Sequence, residues 1–346
     1  LKIAIHPQSG TYSDRWIPYC QSKGIDYKLV CCDEPDIILQ LEDCDALMWH
    51  FYHTGSREVK YARQLLYAVE ASGRVVFPGF RTVWHFDDKV GQKYLLEAVG
   101  APLVPAVVFY SPDRALRWAR SAVYPQVFKL RTGAGSSNVL LVRNWKGASK
   151  LINRAFGRGF RQVNPLADLK ERWRKYRVGR GNLSGVLRGV CRLVVPTRFA
   201  RMAGREKGYV YFQEFVPGNT FDTRVVVIGH QAFAIRRMVR KNDFRASGSG
   251  EILYDKALFS ETTVRLAFDM AEKLRSQCVA FDFLTREGKD VVVEMSYGFN
   301  PEGYDACPGY WDKNLNWYPG PFNPYGWMVD GIVLEAEERR DRWSLY

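Results

Sequence analysis

The sequence predicts an α/β protein, with an open α/β sheet at the N-terminus and a mixed α+β part behind it. Three observations carry this. Short apolar runs alternate with helical patterns through the first 84 residues, which is the signature of a small open sheet. From residue 125 onward, apolar runs instead come in pairs joined by polar turns, as strand hairpins do. One long amphipathic stretch, 261–276, has Val264, Ala267, Phe268, Ala271 and Leu274 on one face, as a helix packed on a sheet requires.

Taken in order, Leu1–Ile5 is a strand, and Ser13 and Asp14 supply cap chemistry for a helix near Arg15–Lys23. Strands follow at 27–31, 45–49 and 74–77, with a helix over 57–72. Ligands of open α/β sheets bind beyond the carboxyl ends of the strands. Those ends carry His6, Ser9, Ser13, Asp14 and Arg15, then His50 and His53. The two histidines lack a nearby third ligand, so they read as polar loop residues before they read as a metal site. Asp87-Asp88 caps a helix over Lys89–Val99, and AVGAPLVPAVVFY then leads into a strand.

In PQVFKLRTGAGSSNVLLV (125–142), a strand ending in Lys129 and a returning strand flank Gly133, Ala134, Gly135, Ser136 and Ser137. Glycines let backbone N–H groups turn toward phosphate oxygens, and Lys129 adds charge. Strands are expected at Tyr209–Phe215, Thr223–Ile228 and Gln231–Val239. Val279–Leu284 and Val291–Met295 then form a hairpin with one acid in each apolar run, Asp282 and Glu294. A buried unpaired carboxylate is costly, and a cation removes that cost. Glu294 and Ser296 point the same way along the strand, and pairing can bring Asp282 beside them. Residues 304–327, rich in proline and aromatics, read as too punctuated for regular structure, a wrap for the core or a wall for a substrate.

The chain has 346 residues, 47% of them hydrophobic, and no apolar run long enough to span a bilayer. Its seven scattered cysteines form no C-x-x-C pair, which favours reduced thiols and a cytoplasmic setting. Between Lys146 and Lys207 there are 17 Lys or Arg against Asp168, Glu171 and Glu206, a net +14 that exceeds the +13 of the whole chain. Basicity confined to one segment argues against a general nucleic-acid coat. Helical pieces carrying Trp173, Tyr176, Leu187 and Val190 are expected to cover the body, with Arg172, Arg174, Lys175, Arg177 and Arg180 outward. The segment reads either as a solvated insertion or as a surface for an anionic membrane face or lipid-linked acceptor.

The order of these pieces over residues 85–303 resembles the ATP-grasp superfamily, above all its RimK-like and glutathione-synthetase-like members. The resemblance is strongest in QEFVPGNTFDTRVVVIGHQAFAIRRMVRKNDFRASGSG. It implies a pre-ATP-grasp domain over 1–84, a first subdomain over 85–145, a basic insertion over 146–207, a C-terminal subdomain with the aromatic tail over 208–330, and a C-terminal helix over 331–346. It implies that Lys89, Lys129 and the flap Gly133, Gly135, Ser136 and Ser137 meet ATP phosphates, that Glu214 and Val216 meet the adenine, and that Asp222 lies near the ribose. Arg224, Arg237 and Arg245 would face the transferred phosphoryl group and the acceptor. Asp282 and Glu294 would hold two magnesium ions, with Ser296 where the family usually has Asn, and Asn300 as its substitute. The implied activity is ADP-forming C–N ligation of a carboxylate to an amine through an acyl phosphate. The aromatic tail resembles that of ATP-grasp proteins of surface-polysaccharide synthesis, which implies a uronic-type acceptor. A peptide or protein amino-acid ligase and a catalytically silent ATP-binding scaffold are the alternatives.

Overall fold

The computed structural model describes residues 1–51, 58–133, 138–161, 169, 172–173, 176–177, 182–195, 204–240, 243–246 and 250–343. The first sheet is built from β1 (Lys2–Ile5), β2 (Asp26–Leu29), β3 (Ala46–Met48) and β4 (Val75–Phe77), all parallel in the order β2-β1-β3-β4. Around it lie α1 (Ser13–Lys23), α2 (Ile37–Gln40), α3 (Glu58–Ala71) and α4 (Phe80–Val83). The expected open α/β sheet is present, with short strands whose side chains are buried in β1, β3 and β4.

α5 (Lys89–Ala98) starts where the paired aspartates placed it, with the Asp88 side chain accepting from Gly91 N–H. Next come β5 (Ala106–Phe109), α6 (Pro112–Ser121), β6 (Gln126–Lys129), β7 (Val139–Val142) and α7 (Trp145–Phe156). Beyond them are β8 (Phe160–Arg161), α8 (Leu183–Val194), β9 (Arg205–Glu206) and β10 (Val210–Glu214). β5, β10, β6 and β7 form an antiparallel sheet in that order. α6 and α7 cover one side of it, burying Ala115, Ala119, Ala148, Ile152 and Ala155 against Phe128 and Phe212.

α7 corrects the reading of the basic segment. Residues 145–156 alternate bases with small apolar residues at helical spacing, so the bases reach solvent while Ala148, Ile152 and Ala155 enter the core. The insertion read over 146–207 is therefore part of the packed structure at its start. A second correction concerns 173–190: Trp173, Tyr176, Leu187 and Val190 are exposed rather than covering the body. Arg172 is half-buried and Arg177 exposed, while Arg174, Lys175 and Arg180 lie outside the described residues.

The third sheet holds β11 (Phe221–Ile228), β12 (Gln231–Met238), β13 (Ile252–Leu253), β14 (Cys278–Arg286), β15 (Lys289–Ser296), β16 (Gly309–Asp312) and β17 (Trp317–Pro319), ordered β15-β14-β11-β12-β16-β17 with β13 on β12. α9 (Glu261–Leu274), capped by Ser260, packs on the face carrying Val225, Val227, Val279, Phe281 and Phe283. The opposite face carries Val226, Ile228, Phe233 and Ala280 against Ile3, Ile5 and Trp16 of the N-terminal part and against α10 (Pro324–Trp343).

β16, β17 and α10 overturn the expectation that 304–327 is irregular, and α10 begins at 324 rather than 331. The punctuating residues make a tight hairpin: Asp312 accepts from the backbone of Asn314 and Asn316, and Leu315 takes φ 65° at the turn. Gly309 allows the two strands to close, because a Cβ there would lie 2.3 Å from Tyr318 O. Among the described residues no helix is long and apolar enough to cross a membrane.

Candidate active site

Strand alternation decides what the four-stranded sheet offers. Phe128 and its cross-strand partner Phe212 turn to the helices, so Lys129 and its partner Tyr211 turn the other way. They meet Glu294 of β15, and Lys89 arrives from the first turn of α5 with Nζ 3.3 Å from Glu294 Oε1. Lys89, Lys129, Tyr211 and Glu294 line a cavity of about 10 Å³, space for a single water. Burial pushes Lys129 down to about 8, against the pull of Glu294. Glu294 is penalised by burial too, but Lys89 and Lys129 hold it below the usual glutamate value.

A bulge in the hairpin aims Glu294. Asp282 pairs with Glu294 and Phe283 with Val292, leaving Val293 as an extra residue. On a regular strand Val292 and Glu294 would share a face. With the bulge, Val292 joins the core under α9 while Glu294 lies opposite Asp282 on the other face.

Asp282 itself is fully engaged. Arg224, its partner on β11, donates from Nε and Nη2 to both carboxylate oxygens, the latter at 2.7 Å. Arg237 donates to both oxygens of Asp222, at 2.7 and 2.6 Å, and its Nη2 lies 2.9 Å from Asp282 Oδ2. Two guanidiniums and two carboxylates thus form a chain without net charge, Arg224–Asp282–Arg237–Asp222. Burial disfavours ionised Asp282, yet Arg224 and Arg237 outweigh it and hold the carboxyl well below the usual range. Asp222 is raised by its burial.

The strand end after β10 forms a second locus. Glu214 pairs with Arg286 of the hairpin at 3.0 Å. Glu214, Phe215, Val216, Pro217, Thr285 and Arg286 line a cavity of about 290 Å³, near the lower end of small-molecule pockets. Arg245 pairs with Asp243, whose loop reaches this locus through Phe244 edge-on to Phe215. At the flap, Gly133 has φ 112°, a conformation that favours glycine. Its N–H donates to Asp87 Oδ1 at 2.7 Å and its carbonyl accepts from Lys89 Nζ at 2.8 Å. Burial raises Asp87 to about 6. Gly135, Ser136 and Ser137 lie outside the described residues, as does His53.

The sequence matches no protein-family model and no curated protein. Solved structures do resemble the chain along its whole length. A RimK domain ATP-grasp protein from Sphaerobacter thermophilus is 15% identical with a TM-score of 0.54, covering 96% of this chain and 100% of that one. A D-alanine–D-alanine ligase from Bacillus anthracis, complexed with ATP, is 12% identical with a TM-score of 0.56 and 99% coverage of both chains. The chain has the ATP-grasp fold. The ATP-grasp ligase PsnB, complexed with a minimal precursor, Mg and ADP, is 12% identical with a TM-score of 0.55, covering 97% of this chain and 98% of that one.

Within this ATP-grasp fold, Lys89, Lys129 and Glu294 converge, and Arg224, Arg237, Asp222 and Asp282 form one cluster. The expected metal set does not assemble in full. Ser296 Oγ donates to Gly298 O and accepts from Gly298 N–H, and Asn300 is exposed at the start of a turn. Among the described residues no three His, Cys, Asp or Glu side chains gather as metal ligands. His50 is a core residue, stacked on Tyr12 and accepting from its N–H. Tyr211 and Arg286 were missed by sequence reasoning, and Asp87, read there as part of the helix cap, instead accepts from Gly133 N–H while Asp88 alone caps α5. Alternation in YVYFQEF carried the signal for Tyr211, because it places Tyr211 and Gln213 opposite to Phe212. Nothing local marks Arg286.

Proposed function

We propose that the chain is an ATP-dependent ligase that joins a carboxylate to an amine. One observation carries the reading: Lys89, Lys129 and Glu294 converge from a helix and two sheets beside the rigid arginine–carboxylate cluster. Phosphoryl transfer requires positioning and charge neutralisation rather than a covalent residue, and this set suits it. The fold neighbours include ligases solved with ATP or with Mg and ADP.

In the proposed sequence an acceptor carboxylate oxygen attacks the γ-phosphorus and ADP departs with the bridging oxygen. The amine nitrogen then attacks the acyl carbon, phosphate leaves, and the amine proton passes to solvent. Lys89 and Lys129 would bind the phosphates, the 290 Å³ cavity beside Glu214 and Val216 would take the adenine, and Arg224 and Arg237 would hold the acceptor end. The donor set fits one magnesium ion at Glu294, whose side chain is 33% exposed and whose contact is Lys89. Asp282 suits a second ion less well, because its oxygens already accept from two arginines. Magnesium bound there would supply charge neutralisation for the phosphates.

The uronic-type acceptor loses part of its support in the fold. Tyr310 stacks on Tyr318 and Phe322 on Trp327, so one face of each of these rings is used on its neighbour. The deciding experiment is magnesium-dependent ADP release screened over uronates, amino acids and peptides, each with an amine partner. Release that requires both co-substrates is expected. ATP binding with no release for any acceptor would instead favour the silent scaffold, a reading supported by Asp282 being engaged with two arginines and by the Ser296 hydroxyl being bonded to Gly298.

A further inference from the structure

Among the described residues, α8 is covered on one side only. Val186 and Gly189 turn inward, and a Cβ at Gly189 would meet Arg172 Cδ at 2.9 Å and Leu169 Cδ1 at 3.0 Å. On the outer face Leu183, Leu187 and Val190 follow one another at i, i+4 and i+7 and are 53%, 58% and 48% exposed. Leu193 and Val195 extend the bare apolar surface at the helix end, and exposed Trp173 and Tyr176 sit with ring centroids 5.8 Å apart in the segment before it. Arg188 is exposed beside the stripe, on the segment that holds the whole positive excess of the chain.

The two features together select the partner. A second copy of this chain would bring two +14 segments against each other, and like charges disfavour that. A nucleic acid or a free polyanion would satisfy the charge but leave the aliphatic stripe in water. A surface that is anionic outside and hydrocarbon beneath satisfies both, and tryptophan and tyrosine suit its boundary. We propose that the outer face of α8, with Trp173 and Tyr176, docks this protein on an anionic lipid bilayer. The stripe enters the acyl boundary while Arg188 stays among the headgroups. This docking stands independently of the ligase reading.

The test is flotation of the full chain with vesicles of phosphatidylcholine alone or mixed with phosphatidylglycerol. Binding to the mixed vesicles is expected, weakened by salt and absent with phosphatidylcholine alone. The double substitution Leu187→Glu and Val190→Glu is expected to reduce binding about tenfold or more, with an unchanged thermal melt. Both positions are about half exposed, so the fold tolerates the change. Quenching of the unmodified protein's tryptophan fluorescence by brominated lipid gives a readout that needs no variant. No binding to mixed vesicles, binding unaffected by the double substitution, or no quenching would each overturn the proposal. A concentration-dependent dimer that the double substitution dissociates would do so as well, by assigning the face to a second copy.

Discussion

Asp282 and Glu294 are cross-strand partners on one face of one hairpin, and their surroundings differ in kind. Asp282 is 5% exposed and held by two guanidiniums in a cluster whose charges cancel. Glu294 stands a third exposed between two lysines, one of which burial has pushed down to about 8. At the arginine end the charges are already paired with one another, so an acceptor would meet guanidiniums held in place by Asp282 and Asp222. The lysine end sets two lysines around a partly exposed glutamate, and those lysines can take an incoming phosphate.

Removing Asp282 should have the largest effect on stability. Asp282→Ala leaves Arg224 and Arg237 buried without their shared counter-charge, a loss of about 3–5 kcal/mol in chemical denaturation. Glu294→Gln should cost about 1 kcal/mol or less, as a partly exposed pair does. Equal losses at the two positions would erase the distinction between the ends.

Activity should reverse that order. Glu294→Gln is expected to lower ADP formation by at least about a hundredfold while sparing part of the ATP affinity. Full turnover in that variant would remove Glu294 from the metal and phosphate site.

Lys129→Ala should weaken ATP binding about tenfold or more, since a charge-assisted contact is worth about 1.5–3 kcal/mol. Lys129 also predicts a pH profile. Burial pushes its pKa down to about 8, below the ordinary lysine value of 10.5 that applies in the unfolded chain. ATP affinity measured by calorimetry should therefore fall as pH rises through about 8. Between the two values the unfolded chain binds the extra proton, so this group makes stability rise with pH over the same window. Lys129→Arg should flatten the affinity profile, because guanidinium stays charged. An unchanged slope in that variant would place the titrating group elsewhere.

Ser296→Asn should be the mildest change, within about 1 kcal/mol in stability, because the hydroxyl's contacts are those with the adjacent Gly298. Magnesium titration checks its second consequence. A marked gain in affinity would show that Asn reaches an ion Ser296 does not.

Much of the frame was legible because it rests on short-range chemistry. The cap at Asp88, the apolar face of α9 and the strand–turn–strand around Gly133 each follow from residues within a few positions of one another. The tail was misread for the same reason: proline and glycine were taken as interruptions, whereas Gly309 and the Asp312 turn permit a hairpin that needs β12 beside it. α7 was misread because its three bases lie between the three apolar residues that enter the core, Ala148, Ile152 and Ala155, and the charge of the whole segment masked that spacing.

The sequence by itself determined that two acids lie in apolar strands of one hairpin, that lysines stand before a Gly-rich turn, and that one segment holds the excess charge. Alternation and composition are properties of neighbouring residues, so they need no fold to be read. Only the tertiary structure decided which cation meets which acid. Arg224 reaches Asp282 across 58 residues of sequence, Arg237 bridges it to Asp222, and a single extra residue at Val293 turns Glu294 toward Lys89. Such pairings depend on register, and a slip of one residue sends every side chain of a strand to its other face.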